Sequence, residues 1–196
     1  MSAWRKLSVE SKPATYFQIK MVQKFPDVEV EHFYRMASNM DARKDWDKER
    51  CNGMEKVGDM NDGKQMYYML GKKPPIPLVQ ARDFLVNTWR EESTFGEGKK
   101  AFLWASVEDP LKPVQENITR MKIDVIVTIV EKNTDGEGAT TGCKVTEFRA
   151  QDMAGDMQPI AIEKGSKMGP KKYFAEWVQA IKSEQHKKWF IISYNK

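Results

Sequence analysis

The chain has 196 residues, of which 40% are hydrophobic and 31% charged, a balance typical of one globular domain rather than a disordered or collagen-like chain. Its net charge of +4 arises from 32 basic and 28 acidic residues, so charges of both signs are interspersed. This pattern argues against a nucleic-acid-binding protein, which concentrates basic residues on one surface, and is compatible with brief contact at an anionic membrane.

The cysteines and the N-terminal residues favour a reducing compartment. Cys51 and Cys143 lack CxxC spacing, and with His32 and His186 they are too few for a structural zinc site. The N-terminal residues contain no apolar core of signal-peptide length, and no window approaches 18 uninterrupted apolar residues. We therefore expect a cytoplasmic monomer with two thiols and without a metal or cofactor.

The first part of the chain predicts a strand followed by helices. Residues 15–25 are rich in β-formers and end at Pro26. From Val30, apolar residues recur with the spacing of one helical stripe, and Asp27 is the expected cap. Short helical pieces should continue to Trp46. Because this tryptophan stands among ionisable residues in MDARKDWDKE, one side of that segment must pack against apolar groups.

The chain after residue 49 has the pattern of an antiparallel sheet, with hairpin-type turns at NDG, FGEG and TDGEG. The predicted strands are 51–57, 64–70, 84–90, 101–106, 120–131 and 141–150. In the strand at 120–131, alternation predicts one shared face for Met121, Ile123, Val125, Val127 and Ile129, although Ile126 and Val130 keep the opposite face from being purely polar.

Two proline-rich loops are too apolar to be mere connectors. They are GKKPPIPLVQA at 71–81 and VEDPLKPVQEN at 107–117, the second presenting Leu111 and Val114. We expect such loops to cover something. Residues 108–115 of the second loop and the C-terminal helix are the two candidate lids.

The last predicted element is an amphipathic helix over residues 169–188, opened by Gly169 and Pro170. Its apolar stripe comprises Tyr173, Phe174, Trp177, Val178 and Ile181. The apolar tail at 187–196 either packs back on the domain or is an appendage that meets a membrane interface. The chain thus predicts one α+β domain over residues 1–196.

Four motifs occur in the order and spacing of START domains, the steroidogenic-acute-regulatory-related lipid transfer domains. They are DARKDWD at 41–47, RDFLVNTWR at 82–90, ASVEDPLKP at 105–113 and QDMAGDMQP at 151–159. The chain resembles this family from Trp4 to Gln185. The resemblance implies a helix-grip fold, in which a curved antiparallel sheet wraps around the long C-terminal helix and leaves an internal tunnel for one lipid. It also implies a lipid carrier that is not an enzyme.

The resemblance assigns a head-group role to Arg43. In START domains similar to the phosphatidylcholine carrier, this arginine contacts the lipid phosphate, for which a planar guanidinium is well suited. The alternative is a surface ion pair with a neighbouring aspartate. Such carriers also cage choline with aromatic rings, for which Tyr67 or Tyr68 and Phe84 are the matches. The strand at 120–131 has no aromatic residue, so this cage is incomplete.

The resemblance further implies ligand contacts on strand faces, on the second loop and on the last helix. The complete set is Arg43, Met66, Tyr67, Tyr68, Met69, Phe84, Val86, Thr88, Trp104, Leu111, Val114, Phe174, Trp177 and Val178. Met66 and Met69 are equally compatible with an ordinary core. Sterol-binding START domains set a carboxylate opposite an arginine, and the corresponding positions fall near Met69 and at Thr88, which are uncharged. A phospholipid is therefore favoured over a sterol.

Two other functional classes stay open. Helix-grip folds also host cyclases and hydrolases, for which Asp124 or Glu147 would be the acid–base candidates. The adjacent Arg82 and Asp83 are more simply explained as a structural pair. A sensor that docks to a partner protein when loaded needs the same cavity as a carrier, so the sequence does not separate these two functions.

Overall fold

The computed structural model describes residues 2–6, 12–48, 51–74, 79–134, 140–155, 157 and 159–183. In this part of the chain the strands are β1 (Ser2–Lys6), β2 (Tyr16–Phe25), β3 (Cys51–Asp59), β4 (Gln65–Gly71), β5 (Ala81–Glu91), β6 (Lys100–Ser106), β7 (Ile118–Arg120), β8 (Lys122–Thr134) and β9 (Thr140–Asp152). The helices are α1 (Val30–Ser38), α2 (Met40–Trp46) and α3 (Pro159–Lys182).

These strands form one curved sheet with the order β1-β2-β9-β8-β6-β5-β4-β3. All neighbours in this order are antiparallel, and the short β7 adds a parallel pairing to the first residues of β5. The predicted α+β class and antiparallel meander are confirmed. β1 was not predicted, because its five residues, SAWRK, contain too little alternation to show a strand.

The main core lies between one face of the sheet and the three helices. Phe17, Ile19 and Met21 of β2 contribute to it by alternation, as expected for a strand with one buried face. Trp177 of α3 is 1% exposed and packs on Phe33 of α1, with ring centroids 4.7 Å apart. Because each aromatic side chain removes roughly 150–250 Å² from water, this contact fastens α3 to the domain.

Two helix boundaries differ from the sequence prediction. The residue before α1 is Glu29, and its side chain makes no capping hydrogen bond, so the proposed cap at Asp27 is wrong. α3 begins at Pro159 rather than Gly169 and continues through Pro170. Proline is well tolerated at a first helical position, where its missing N–H would have no partner inside the helix.

The predicted face of β8 is only half right. Met121 and Ile123 are buried as predicted. Further along the strand, Ile126 and Val130 are buried instead of Val125, Val127 and Ile129. The reason is a register shift against β9 between Ile123 and Val125. A bulge inserts one residue and so turns every later side chain to the opposite face.

Gly142 of β9 provides a test of the pairing between β2 and β9. Its φ is +65°, and a Cβ there would lie 2.0 Å from the backbone oxygen of Phe25. We expect Gly142→Ala to cost about 2–3 kcal/mol, because positive φ strains alanine and the contact also forces backbone to move. Urea denaturation would measure this. Gly58→Ala is the control, since no atom lies within 4 Å of the place that its Cβ would occupy, and equal losses for both variants would contradict the close approach.

Residues 75–78 of the first proline-rich loop and the tail at 187–196 lie outside the described residues. Across the described residues, no helix combines the length and the apolar character needed to cross a bilayer.

Candidate functional site

A cavity of about 190 Å³, partly open to solvent, lies within the domain between the inner face of the sheet, α2 and α3. Its apolar lining includes Met69, Phe84, Trp104, Ile123 and Ile126. Its polar lining consists of Arg43, Asp47, Thr128, Glu147, Arg149, Gln151 and Tyr173. Two arginines and two carboxylates thus face one small space inside the protein.

The first charged pair comes from α2. Arg43 and Asp47 stand four residues apart, and Nε of Arg43 donates to Oδ2 of Asp47 over 2.7 Å. Arg43 therefore does pair with a neighbouring aspartate. Because the two side chains are only 4% and 2% exposed, this ion pair lies inside the protein and not on its surface. Asn39 helps to fix the helix here, since its side chain accepts a hydrogen bond from the backbone N–H of Ala42.

Trp46 explains how a charged segment becomes buried. Its ring packs edge-on against Trp177, with centroids 6.1 Å apart. The guanidinium of Arg43 lies 4.9 Å from the Trp46 ring centre and 4.5 Å from that of Trp104. Burial alone would lower the pKa of Arg43, but the Asp47 carboxylate raises it above its usual value. Arg43 is therefore a permanent cation between two indole rings.

The second charged pair comes from β9. Nε of Arg149 donates to Oε1 of Glu147, whose side chain is fully buried. Oε2 of Glu147 accepts hydrogen bonds from the hydroxyls of Thr128, at 3.0 Å, and Tyr173, at 2.9 Å. Burial lowers the pKa of Arg149 and the Glu147 carboxylate raises it, with a net rise. The Tyr173 bond joins α3 to the sheet through a group buried in the cavity wall.

The Glu147 cluster was missed as a binding site by the sequence interpretation. Glu147, Arg149 and Gln151 alternate on β9, and all three line the cavity. Cys143 and Val145, earlier on the same face, are fully buried. The available signal was this run of polar residues continuing an apolar inward face, which a period-two reading of TEFRAQD would have shown.

The predicted ligand contacts occupy different places. Arg43, Met69, Phe84 and Trp104 line the cavity. Tyr67, Val86, Phe174 and Trp177 are buried in the main core, and Val178 packs against it. Met66 and Tyr68 belong to a separate cluster with Leu85. Thr88 is buried, and its hydroxyl donates to the backbone oxygen of Gln65 over 3.3 Å.

The two apolar residues of the second loop lie on the surface. Leu111 is 74% exposed and Val114 is 65% exposed. Val114 lines an outer groove of about 590 Å³ between this loop and the start of β8. Met121 lines both this groove and the inner cavity.

The residues considered for catalysis have structural partners. Asp83 accepts two hydrogen bonds from Arg120, while Arg82 donates to the backbone oxygens of Gln80, Met153 and Ala154. Asp124 pairs with Lys12 over 2.9 Å. Among the described residues, no group of three or more His, Cys, Asp or Glu side chains is arranged to hold a metal ion.

The two cysteines should differ sharply in reactivity. Cys143 is fully buried, and burial raises the pKa of its thiol to about 12, whereas Cys51 is partly exposed and lines the cavity. Because the thiolate is the reactive form, we expect a thiol reagent at pH 8 to modify Cys51 readily and Cys143 only after unfolding. Mass spectrometry over time would show this. A Cys51→Ser variant should lose the fast reaction, and rapid modification of both thiols would contradict the buried position of Cys143.

Comparisons with known proteins agree on one family and one fold. The family model described as START domain matches residues 5–187. Human STARD10 superposes with a TM-score of 0.79 at 18% identity, covering 98% of this chain and 73% of the other. Human StAR-related lipid transfer protein 5 gives 0.74 at 17% identity, covering 92% and 81% respectively. A StAR-related lipid transfer protein from Xanthomonas axonopodis gives 0.66 at 16% identity, covering 92% and 93%. No curated protein matches the sequence.

Proposed function

Because the chain belongs to the START domain family, we propose that it is a carrier that shields one phospholipid-like molecule and transfers it between membranes. The solved structures that resemble it include human StAR-related lipid transfer protein 5, whose name states lipid transfer. The observation that carries the proposal is the internal cavity with Arg43 in its wall, closed on one side by α3.

Hydrocarbon burial supplies the affinity in this mechanism. A two-chain lipid exposes several hundred Å² of apolar surface, and at roughly 25 cal/mol per Å² its removal from water is favourable by many kcal/mol. Polar contacts are then needed only at the head group. Arg43 suits that position, because its guanidinium is charged, buried and held by Asp47.

Loading requires the domain to open. A cavity of about 190 Å³ is smaller than the ~300–1,000 Å³ of typical ligand sites, so acyl chains need additional space. We propose that α3 and the loop at 107–117 move apart from the sheet to provide it. Opening at α3 would have to break the hydrogen bond from the Tyr173 hydroxyl to Glu147, which lies in the cavity wall.

The loop at 107–117 is the proposed membrane contact. It presents Leu111 and Val114 to solvent beside the outer groove. Exposed apolar side chains of this kind gain free energy when they enter the headgroup region of a bilayer. The function therefore combines a surface that meets the membrane with an internal space that takes the lipid.

Lipid transfer between vesicles tests the proposal. Donor vesicles carry a fluorescent phospholipid that is quenched until it moves to acceptor vesicles, and the protein should accelerate its movement in proportion to its concentration. Native mass spectrometry of the purified protein should show one bound lipid. A sensor would bind the lipid without accelerating exchange, and the absence of both binding and exchange would overturn the proposal.

A sterol is the second candidate ligand. Glu147 and Arg149 are a carboxylate and an arginine inside the cavity, the combination that the resemblance associates with sterol carriers, although they lie at other positions. Tritiated cholesterol binding, measured beside phospholipid binding, would decide between the two. Saturable binding of cholesterol alone would favour the sterol carrier.

A further inference from the structure

We propose that Arg43 and Arg149 together bind the anionic group of the lipid, and that this head group is an oxyanion without a quaternary ammonium. The inference rests on the proposed lipid-binding function and specifies the class of ligand. It adds Arg149 of β9, which no sequence motif indicated, to the site.

Both arginines have unused donors at the cavity. Each guanidinium donates through Nε to the carboxylate of its own pair, Asp47 or Glu147. Among the described residues, the terminal nitrogens of Arg43 and Arg149 make no hydrogen bond. They are nevertheless absent from the set of polar atoms that are fully buried and lack a hydrogen-bond partner. These nitrogens therefore have access to space, and the space that both residues line is the cavity. Four NH₂ groups are available there for acceptor oxygens.

The two guanidiniums act on the same region. The positive charge of Arg43 acts to lower the pKa of Arg149, so the two cations interact. The carboxylates lie on the Nε side of each arginine and leave the terminal nitrogens without an acceptor among the described residues. An oxyanion with at least two oxygens would bridge them and relieve their repulsion, as charge-assisted hydrogen bonds to guanidinium groups are among the stronger ones.

The cavity is poorly suited to choline. A quaternary ammonium needs open aromatic faces, at about 6 Å or less from the ring centre. Arg43 already lies 4.5 Å from the Trp104 ring, and Arg149 lies 4.3 Å from the Tyr173 ring. Tyr68, one of the proposed cage residues, packs in the separate cluster with Lys112 at 5.1 Å from its ring. Of the aromatic side chains that line the cavity, Phe84 alone has no such cation over its ring in the described part of the chain.

The volume of the cavity also favours a compact head group. About 190 Å³ is enough for a compact polar group but not for acyl chains, so the described cavity corresponds to the head-group end of the site. A phosphate monoester or a fatty-acid carboxylate fulfils these conditions, and both present two or more oxygens at the end of a hydrocarbon chain. The shared chemistry is the terminal oxyanion.

Binding of two lipids with the same acyl chains tests the inference. Vesicles containing phosphatidic acid or phosphatidylcholine are titrated with protein, and the bound lipid is quantified after separation. We expect phosphatidic acid to bind at least about tenfold more tightly, because its terminal phosphate can accept an additional charge-assisted hydrogen bond from the two arginines. Oleate and inorganic phosphate form separate arms, which identify a carboxylate lipid or a free phosphate as the source of the oxyanion.

Two variants separate binding from structure. The double variant Arg149→Gln with Glu147→Gln removes both charges of the pair together, and should weaken phosphatidic acid binding about tenfold and reduce its preference over phosphatidylcholine. Glu147→Gln alone leaves Arg149 uncompensated and should strengthen the binding of the anion. Opposite effects of the two variants are not expected from a purely structural role. Arg90→Gln, at an exposed arginine of β5, is the control for net charge.

The outcomes distinguish this inference from the proposed function. Equal affinities for the two phospholipids, or a double variant with unchanged preference, would overturn the two-arginine site and leave lipid carriage intact. If Glu147→Gln does not fold, the double variant still decides the question. Binding of inorganic phosphate without binding of any lipid would support the anion site and overturn the carrier. Failure of every ligand to bind would overturn both.

Discussion

Replacing Trp177 with alanine is expected to destabilise the domain by about 3–5 kcal/mol, a large part of the ~5–15 kcal/mol that stabilises a typical protein. Trp177 is 1% exposed and contacts Phe33, Trp46, Tyr173 and Phe174 through its ring. Its removal leaves a cavity lined by aromatic rings that belong to two other helices as well as α3. The loss should appear as a lower midpoint in urea denaturation with a similar m-value.

Trp4→Ala provides the matched control for this experiment. Trp4 lies on edge strand β1 and is 54% exposed, so the same substitution there should cost less than about 1 kcal/mol. A comparable loss at both tryptophans would show that α3 does not depend on Trp177 for its docking. A selective loss at Trp177 should also weaken lipid retention, because α3 closes one side of the cavity.

Arg43→Gln is expected to destabilise the protein by about 3–5 kcal/mol, because it leaves the Asp47 carboxylate buried without its guanidinium. Asp47→Asn should have a similar effect for the converse reason. The double variant should recover much of the loss, since it buries neutral amides of similar shape. A double-mutant cycle in urea measures the coupling energy between the two side chains.

Arg35 and Glu31 form the control pair. They have the same four-residue spacing on a helix, but their side chains are 36% and 39% exposed. Solvent screens such pairs, so their coupling should be about 0.3–0.5 kcal/mol. Equal coupling for the two pairs would contradict the burial of Arg43.

The Arg43 cycle also separates stability from ligand binding. The double variant Arg43→Gln with Asp47→Asn should fold well and yet bind phospholipid poorly, whereas a neutral lipid should bind as before. Arg43→Ala alone would confuse the two effects, because the buried carboxylate reduces the amount of folded protein. Unchanged phospholipid binding by a well-folded double variant would remove Arg43 from the head-group site.

Much of the architecture follows from local patterns in the sequence. Alternating apolar residues and glycine-containing turns predicted the long strands, and the stripe from Tyr173 to Ile181 predicted the second half of α3. These patterns are readable because each strand or helix must bury one face, and its period is a property of the backbone itself. The motifs of the START domains added the expectation of an internal lipid site.

Only the tertiary structure decided which side chains meet inside that site. The bulge between Ile123 and Val125 reverses the buried face of β8, and it depends on pairing with β9 rather than on β8 alone. A surface ion pair was one of the two interpretations of Arg43, but its guanidinium lies over the rings of Trp46 and Trp104, and Trp46 packs on Trp177. The Glu147 carboxylate can be buried in the cavity wall because the hydroxyls of Thr128 and Tyr173, distant in the chain, donate hydrogen bonds to it. Periodicity is local, whereas burial of a charge is determined by partners that the fold brings together.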